Sequence, residues 1–283
     1  MRASRNAGLA LAALIALPVV IGAAYATFAA VGLVGAGARG ATSAALGDVL
    51  TDVAMWRGLG WSLWIAAAST VGATAIAVSV AVTFRGARTS DRVGRALAIV
   101  PLPVPHVVAG LLGVQLLGQS GWIARVAHAS GVVGAPADMP ALVYDPYGAG
   151  LILTMIWKET PFLAVVAIAL LHTRGAAAEE AAHTLGASRL RTLQWVTIPL
   201  VLRGLLPAVI AVFVFVFGNF EVAALLAPSD PLALPLLIEE RALDPDLTRR
   251  AGAYVTALVA LAAAALAVAV HAHYSGRWSA EHS

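Results

Sequence analysis

The chain has 283 residues, of which 60% are hydrophobic and only 12% charged, and its mean hydropathy is +0.86. A soluble domain carries about twice that charged fraction, so the composition indicates an integral membrane protein. The net charge of +3 gives no sign of nucleic-acid binding, and the absence of Cys excludes a disulfide framework, a thiolate metal site and a cysteine nucleophile.

Six apolar stretches are long enough to cross a bilayer, because a membrane helix needs about 20 mostly apolar residues for a ~30 Å hydrocarbon core. We find neither internal repeats nor a soluble domain boundary, so we expect an all-α integral membrane protein with a single domain over residues 1–283. The predicted spans cover residues 8–34, 59–84, 96–117, 148–171, 205–226 and 252–272.

The first predicted span could be mistaken for a signal peptide. It follows Arg2 and Arg5, and small residues lie near a possible cleavage point at its end. Its apolar run is too long for the hydrophobic region of a typical signal peptide, so we expect a retained membrane helix, with cleavage as the alternative.

The start of the third predicted span contains three alternating prolines, Pro101, Pro103 and Pro105. Proline removes an amide donor and clashes with the preceding turn, so the helix must be broken here. A broken helix at membrane depth is tolerated only against protein or a water-filled cavity. The stretch therefore marks either a packed corner, which its place near the cytoplasmic edge favours, or the solute pathway.

The fourth predicted span contains a polar cluster, Trp157-Lys158-Glu159, about ten residues from its start. Charges at this depth are costly and usually face a bundle interior or a cavity. Adjacent residues of a helix point about 100° apart, so we expect Lys158 and Glu159 to have different partners. The cluster is interpreted either as part of a substrate pathway or as a structural ion pair with a neighbouring helix or subunit.

A polar loop separates the fourth and fifth predicted spans. Residues 176–185 are rich in Ala and Glu and predict a helix, and Gly186 suits the left-handed residue that ends it. Ser188 is a candidate N-cap for a second short helix running to Val196, and Pro199 is expected to stop that helix and start the next span.

Two polar residues, Asn219 and Glu221, fall in the outer half of the fifth predicted span. They would suit a cationic ligand or a gate, and hydrogen bonding between helices is the alternative. Beyond them, the charged segment Pro228–Arg250 predicts a short helix between turns. It is interpreted as a docking place for a partner outside the membrane or as a plain connection.

The distribution of Arg predicts the topology, because positive charge stays preferentially on the cytoplasmic side. We therefore expect both termini and the loop at 172–204 to be cytoplasmic. With the N-terminus inside, the cytoplasmic set is Arg2, Arg5, Arg85, Arg88, Arg92, Arg95, Arg174, Arg189, Arg191, Arg203 and Arg277.

The loop carries a spaced motif. Glu180-Ala181-Ala182 is followed after three residues by Gly186 and, nine residues later, by Val196-Thr197-Ile198-Pro199. This pattern resembles the EAA loop of inner-membrane permease subunits of binding-protein-dependent ABC importers of type I, with Val196 and Ile198 as conservative replacements. The resemblance implies a permease core at about 59–272, an EAA loop at 174–204 and an extra N-terminal helix at 8–34.

Two further stretches resemble the polyamine, ferric-ion, thiamine and sulfate branch of that family. One is the proline-rich opening at residues 101–112, and the other is the segment at 217–227. They imply a small solute such as a polyamine or a related ligand, with a sugar as the alternative.

The resemblance also implies roles for the loop residues. Glu180 would make a charged contact with a separate ATPase, Ala181 and Ala182 would allow close approach, Gly186 would set the corner, and Pro199 completes the motif. The alternative is an ordinary interfacial helix whose acids are solvated. The chain contains no Gly-x-x-x-x-Gly-Lys-Ser/Thr, so ATP and Mg²⁺ would be held by that partner chain.

We therefore expect a transport subunit, not an enzyme, in a bacterial inner membrane. The implied partners are two ATP-binding subunits, a second permease subunit that is identical or paralogous, an extracytoplasmic solute-binding protein and the lipid bilayer. No metal site, catalytic site or cofactor is expected in this chain, because its His residues are scattered. An ion-coupled carrier using Lys158, Glu159 and Glu221 is the competing class, but it leaves the loop spacing unexplained.

Overall fold

The structure is a computed structural model that describes residues 2–35, 37–38 and 40–280. Within these ranges every regular element is helical, which confirms the all-α prediction. The α-helices in chain order are α1 (Arg2–Ala30), α2 (Ala44–Thr51), α3 (Val53–Thr83), α4 (Thr89–Ile99), α5 (His106–Leu117), α6 (Trp122–Ala129), α7 (Ala149–Leu170), α8 (Ala176–Thr184), α9 (Arg189–Thr192), α10 (Ile198–Phe217), α11 (Phe220–Leu226), α12 (Leu234–Ala242) and α13 (Ala251–Ala280).

Six helical stretches in the described ranges are long and apolar enough to cross a membrane, in agreement with the sequence. The first, second, fourth and sixth overlap the predicted spans closely, whereas the third and fifth do not. The six stretches are Asn6–Ala30, Val53–Thr83, His106–Ala129, Ala149–Thr184, Arg189–Phe217 and Ala251–His273.

The prolines divide the third predicted span. Helix α4 ends at Ile99, residues 100–105 form turns, and α5 begins at His106 after Pro105. The predicted break is confirmed, but the predicted bounds 96–117 are wrong. Hydropathy places the span from apolar side chains alone, whereas the missing amide donors of the prolines move its start to His106.

The fourth and fifth spans both continue into the polar loop through π-helical turns. One turn, Leu171–Gly175, joins α7 to α8, and the other, Leu193–Thr197, joins α9 to α10. The prediction that Pro199 stops the second loop helix is wrong, because Pro199 lies in the first turn of α10. There its missing amide costs little, and the wider π turn before it relieves the crowding that its ring would cause.

The fifth span ends at Phe217, so the predicted end at residue 226 is wrong. Gly218 terminates α10, and Asn219 caps the separate short helix α11. Helix α11 packs closely on α5, because a Cβ on Gly110 would lie 2.7 Å from Leu225 Cδ1. Small residues permit such close approach between membrane helices.

The chain divides into two compact units, residues 1–59 with 234–265, and residues 60–233 with 266–283. In the first unit, α12 confirms the short helix predicted between residues 228 and 250. Its Arg241 forms an ion pair with Asp52 and donates a hydrogen bond to the Thr256 hydroxyl. The second unit contains all the candidate site residues. The single domain over residues 1–283 stays a prediction.

Candidate functional site

The loop between the fourth and fifth spans is a tight, self-capped bend. Gly186 has φ of 81° and follows α8, as predicted. The Gly186 amide donates to the His183 carbonyl at 2.9 Å, and the Ala187 amide donates to the Ala182 carbonyl at 3.0 Å. These two bonds form a Schellman motif, which satisfies carbonyls that the end of α8 would otherwise leave open.

The second loop helix begins at the predicted N-cap. The Ser188 hydroxyl accepts a hydrogen bond from the Arg191 amide at 3.5 Å, and α9 follows directly. Only residues 185–188 separate the two helical segments. The bend is therefore held by its own backbone and by one capping side chain.

Large apolar side chains around the bend are exposed. Leu185 is 88% exposed, Trp195 is 79% exposed, and Leu190 is also largely exposed. Large exposed apolar side chains in one short loop are typical of a protein or membrane interface.

Glu180 lies on the open side of α8 and forms no ion pair within the described residues. Ala181 is also exposed, whereas Ala182 and Pro199 are partly covered. The charged contact between Glu180 and an ATPase, and the roles of Ala181, Ala182, Gly186 and Pro199 in it, stay predictions.

The adjacent acid, Glu179, was not identified from the sequence. Its Oε1 accepts hydrogen bonds from Arg85 Nη1 at 2.6 Å and from the Thr197 hydroxyl at 2.6 Å. The sequence gives one indication that Glu179 and Glu180 have different surroundings. Adjacent residues of a helix point about 100° apart, so the two side chains cannot point in the same direction.

The polar cluster of the fourth span is buried. Lys158 is 6% exposed and Glu159 is 7% exposed, whereas Trp157 is 41% exposed. Lys158 Nζ donates to the Leu102 carbonyl at 3.3 Å, in the proline-rich break. Leu102 lies in the turns before α5, outside any regular helix, and the lysine supplies its carbonyl with a donor.

The partner of Glu159 is His106, the first residue of α5. Its Nε2 lies 2.9 Å from Glu159 Oε1 and is the donor when the carboxylate is ionised. The His106 ring also packs against Phe215 of α10, with 4.7 Å between ring centroids. The expectation that Lys158 and Glu159 have different partners is confirmed, and the cluster joins α5, α7 and α10.

Asn219 and Glu221 lie beyond the fifth span. Asn219 Oδ1 accepts from the Val222 amide at 2.9 Å and caps α11, while Glu221 is exposed in the first turn of that helix. An acid there is favoured by the helix dipole. Neither residue is hydrogen-bonded to Lys158 or Glu159. The pathway role of Trp157, Lys158, Glu159, Asn219 and Glu221 stays a prediction.

Residues 73–279 match the family described as the binding-protein-dependent transport system inner membrane component. This range contains the self-capped bend, the Glu179 network and the buried cluster of the fourth span. The chain belongs to this family. It is therefore a multi-pass inner-membrane permease of the binding-protein-dependent ABC importers, as the EAA motif predicted.

Relatives of this permease carry names for different solutes. A sulfate transport system permease protein of Synechococcus elongatus is 32% identical over 149 residues, about half of each chain (51% of this permease and 49% of the relative). A probable molybdenum ABC transporter permease protein of Haloferax volcanii is 31% identical and covers 76% of this permease and 74% of its own length. A putrescine transport system permease protein of Escherichia coli is 29% identical, covering 68% and 63%.

A solved structure has the same fold. A bacterial ABC transporter that imports the acidic polysaccharide alginate matches this permease with a TM-score of 0.71. The match covers 98% of this permease and 96% of that chain at 17% sequence identity. At this identity the likeness supports the fold and not the solute.

Proposed function

We propose that this permease forms the solute pathway of an ATP-driven importer and is coupled to a separate ATPase by the loop at 174–204. The observation that carries the proposal is the self-capped bend in a loop whose Leu185, Leu190 and Trp195 are exposed, together with Glu180, which is exposed and forms no ion pair within the described residues. An exposed apolar patch with one free carboxylate suits a protein partner better than solvent.

The proposed mechanism is alternating access. Closure of the ATPase pair on ATP would pull the loops of two permease subunits together and open the pathway outward, and hydrolysis would reset it. The proposed complex contains two ATP-binding subunits, which hold ATP and Mg²⁺, a second permease and an extracytoplasmic binding protein. A binding protein is supported by the family description and by the similar alginate importer, which was solved with a periplasmic protein.

For the solute we propose a small ionised compound, with an oxyanion ahead of a polyamine. Within the described residues Lys158 donates to a backbone carbonyl and forms no ion pair, so its positive charge would suit an anion. The relatives named for sulfate and molybdenum suit this charge. A polyamine remains the second candidate, because the exposed Glu221 and the putrescine relative suit a cation.

Reconstitution tests both levels of the proposal. The permease is purified with its ATPase, placed in liposomes with the binding protein, and offered sulfate, molybdate, putrescine or a sugar. We expect uptake that requires ATP and is highest for an oxyanion. Uptake by the permease alone, driven by an ion gradient without ATP, would contradict coupling. ATP-driven uptake of putrescine would support coupling to the ATPase but would contradict the proposal that the solute is an anion.

The topology can be tested with single cysteines, because the chain has none. We propose that both termini and the loop face the cytoplasm. A membrane-impermeant maleimide should label Leu185→Cys in inside-out vesicles and not in intact cells. Labelling in intact cells would reverse the topology and remove the loop from reach of a cytoplasmic ATPase.

A further inference from the structure

We propose that Glu179 is a positioning residue that transmits movement of the loop to the second and fifth spans through Arg85 and Thr197. This inference rests on the proposed coupling role of the loop. Under this proposal the two adjacent acids have different roles. Glu180 contacts the ATPase, and Glu179 contacts other residues of the permease. We call the three residues Arg85, Glu179 and Thr197 the brace.

The brace converges on one carboxylate oxygen. Arg85 Nη1 and the Thr197 hydroxyl each lie 2.6 Å from Glu179 Oε1. The Glu179 side chain is 21% exposed, and Thr197 is almost completely buried at 1%. Two donors on one ionised oxygen form short, charge-assisted hydrogen bonds, which are stronger than bonds between neutral groups.

The three residues come from different parts of the chain. Arg85 lies just after α3, which contains the second span, and Thr197 is the last residue of the π turn that precedes α10. Glu179 lies in the first turn of α8. The brace therefore links α8 sideways to the end of the second span, which is 94 residues away in the chain, and across the bend to the start of α10.

The backbone connects α8 to the fourth span through one irregular helical turn. Helix α8 continues from α7 through the π turn Leu171–Gly175 and joins α9 through the four-residue bend. π turns are frequent at functional sites, and they are irregular points in a helix. A lateral brace beyond such a turn makes α8 move together with the spans instead of pivoting at the turn.

An exposed ion pair alone would not be expected to hold α8 to the spans, since such pairs contribute little to stability. Arg85 is 41% exposed, so its share of the energy is modest. The Thr197 bond is different because the hydroxyl is buried. Its other acceptor is the Thr192 carbonyl at a longer 3.4 Å. Losing Glu179 would leave this hydroxyl with only the weaker bond.

The test measures solute uptake and ATP hydrolysis together in liposomes that contain the full complex. For Glu179→Gln we expect uptake per ATP hydrolysed to fall about tenfold, the factor that corresponds to ~1.4 kcal/mol, and for Arg85→Gln we expect a smaller fall because the Arg85 side chain is 41% exposed. For Thr197→Val, which preserves side-chain shape, uptake per ATP hydrolysed should also fall. Arg92→Gln is the matched control, because Arg92 is exposed in α4 and outside the brace. The exchange of Arg85→Glu with Glu179→Arg should restore part of the ratio.

A second measurement reports the movement itself. The chain has no Cys, so spin labels can be placed at Leu190→Cys in the loop and at Arg88→Cys beyond the second span. In the complex with intact Glu179 the distance distribution should stay narrow when ATP is added. With Glu179→Gln it should broaden, because α8 is then free to pivot.

The outcomes separate this inference from the proposed function. If Glu180→Lys uncouples transport while Glu179→Gln leaves uptake per ATP and the label distances unchanged, the coupling loop stands and the brace is wrong. If both variants transport normally, coupling through this loop is wrong and the brace falls with it. If Glu179→Gln lowers only the amount of assembled complex, with normal uptake per ATP, the contact is structural and the proposal is overturned.

Discussion

The bend of the loop and the buried cluster of the fourth span use polar residues in opposite ways. At the bend, backbone groups satisfy each other, while Glu180 and Trp195 remain exposed. In the cluster, Lys158 and Glu159 are buried and each has a partner within the chain. A polar group with an internal partner holds the fold, whereas a preorganised exposed group is available to another molecule.

The two predicted sites differ in which role their contacts support. The exposed groups of the bend agree with a contact site for a partner. The partners of Lys158 and Glu159 add a structural role to the pathway role proposed for Lys158, because both side chains link α7 to the broken third span. Their pathway role can be tested by separating stability from transport.

The largest effect is expected for His106→Ala. This change leaves the buried carboxylate of Glu159 without its hydrogen bond to His106 Nε2, which we expect to cost about 3 kcal/mol. The measurement is the fraction of permease that remains folded in detergent after heating. His128→Ala is the control, because His128 is exposed at the end of α6. Equal heat resistance of the two variants would show that the pair does not hold the cluster.

A smaller effect is expected for Lys158→Met, which keeps most of the side-chain volume and removes the donor to the Leu102 carbonyl. Loss of this part-buried hydrogen bond should cost about 1 kcal/mol, so heat resistance should fall by less than in His106→Ala. Uptake per folded complex distinguishes the two interpretations. Unchanged selectivity and rate would assign Lys158 to structure, whereas altered selectivity between an anion and a cation would return it to the pathway.

At the bend, Gly186→Ala should cost about 1 kcal/mol, since a residue with a Cβ is strained at positive φ. A Cβ there would meet nothing within 4 Å, so the cost is conformational and not steric. Gly186→Asn should be milder, because Asn tolerates the left-handed region better. Thermal unfolding of the two variants checks this order. A more stable Ala variant would contradict the strain.

The sequence predicted the features that depend on local chemistry. Gly186 as the helix end, Ser188 as the N-cap and the separate partners of Lys158 and Glu159 follow from backbone strain, capping and helix geometry. The π turns could not be predicted, because they depend on how α7 and α10 pack around Pro199 and the loop. The partners of Glu179 were also hidden, since Arg85 is 94 residues away and only the tertiary fold brings them together.

The division of the third and fifth spans shows a second limit of hydropathy. Residues 96–117 and 205–226 are each apolar enough to predict one membrane span. In the structure, however, a break divides each of them. Pro101 to Pro105 remove donors from one, and Gly218 with the capping Asn219 ends the other. The capping signal of Asn219 was present in the sequence, but its polarity was interpreted as a pathway feature.

The smallest effect on stability is expected for Trp195→Ala. This variant also tests most directly whether the loop, unlike the buried cluster, contacts another molecule. Because Trp195 is 79% exposed, its loss should change the free energy of unfolding by no more than about 0.5 kcal/mol. If the bend is a contact site for the ATPase, the same change should weaken binding of the ATPase subunit, measured by co-purification and by titration in detergent. Trp122→Ala is the matched control, since this Trp is also exposed but begins α6. If both variants bind the ATPase normally, Trp195 is an anchor in the membrane interface, where tryptophan is common, and the exposed groups of the bend do not form the ATPase site.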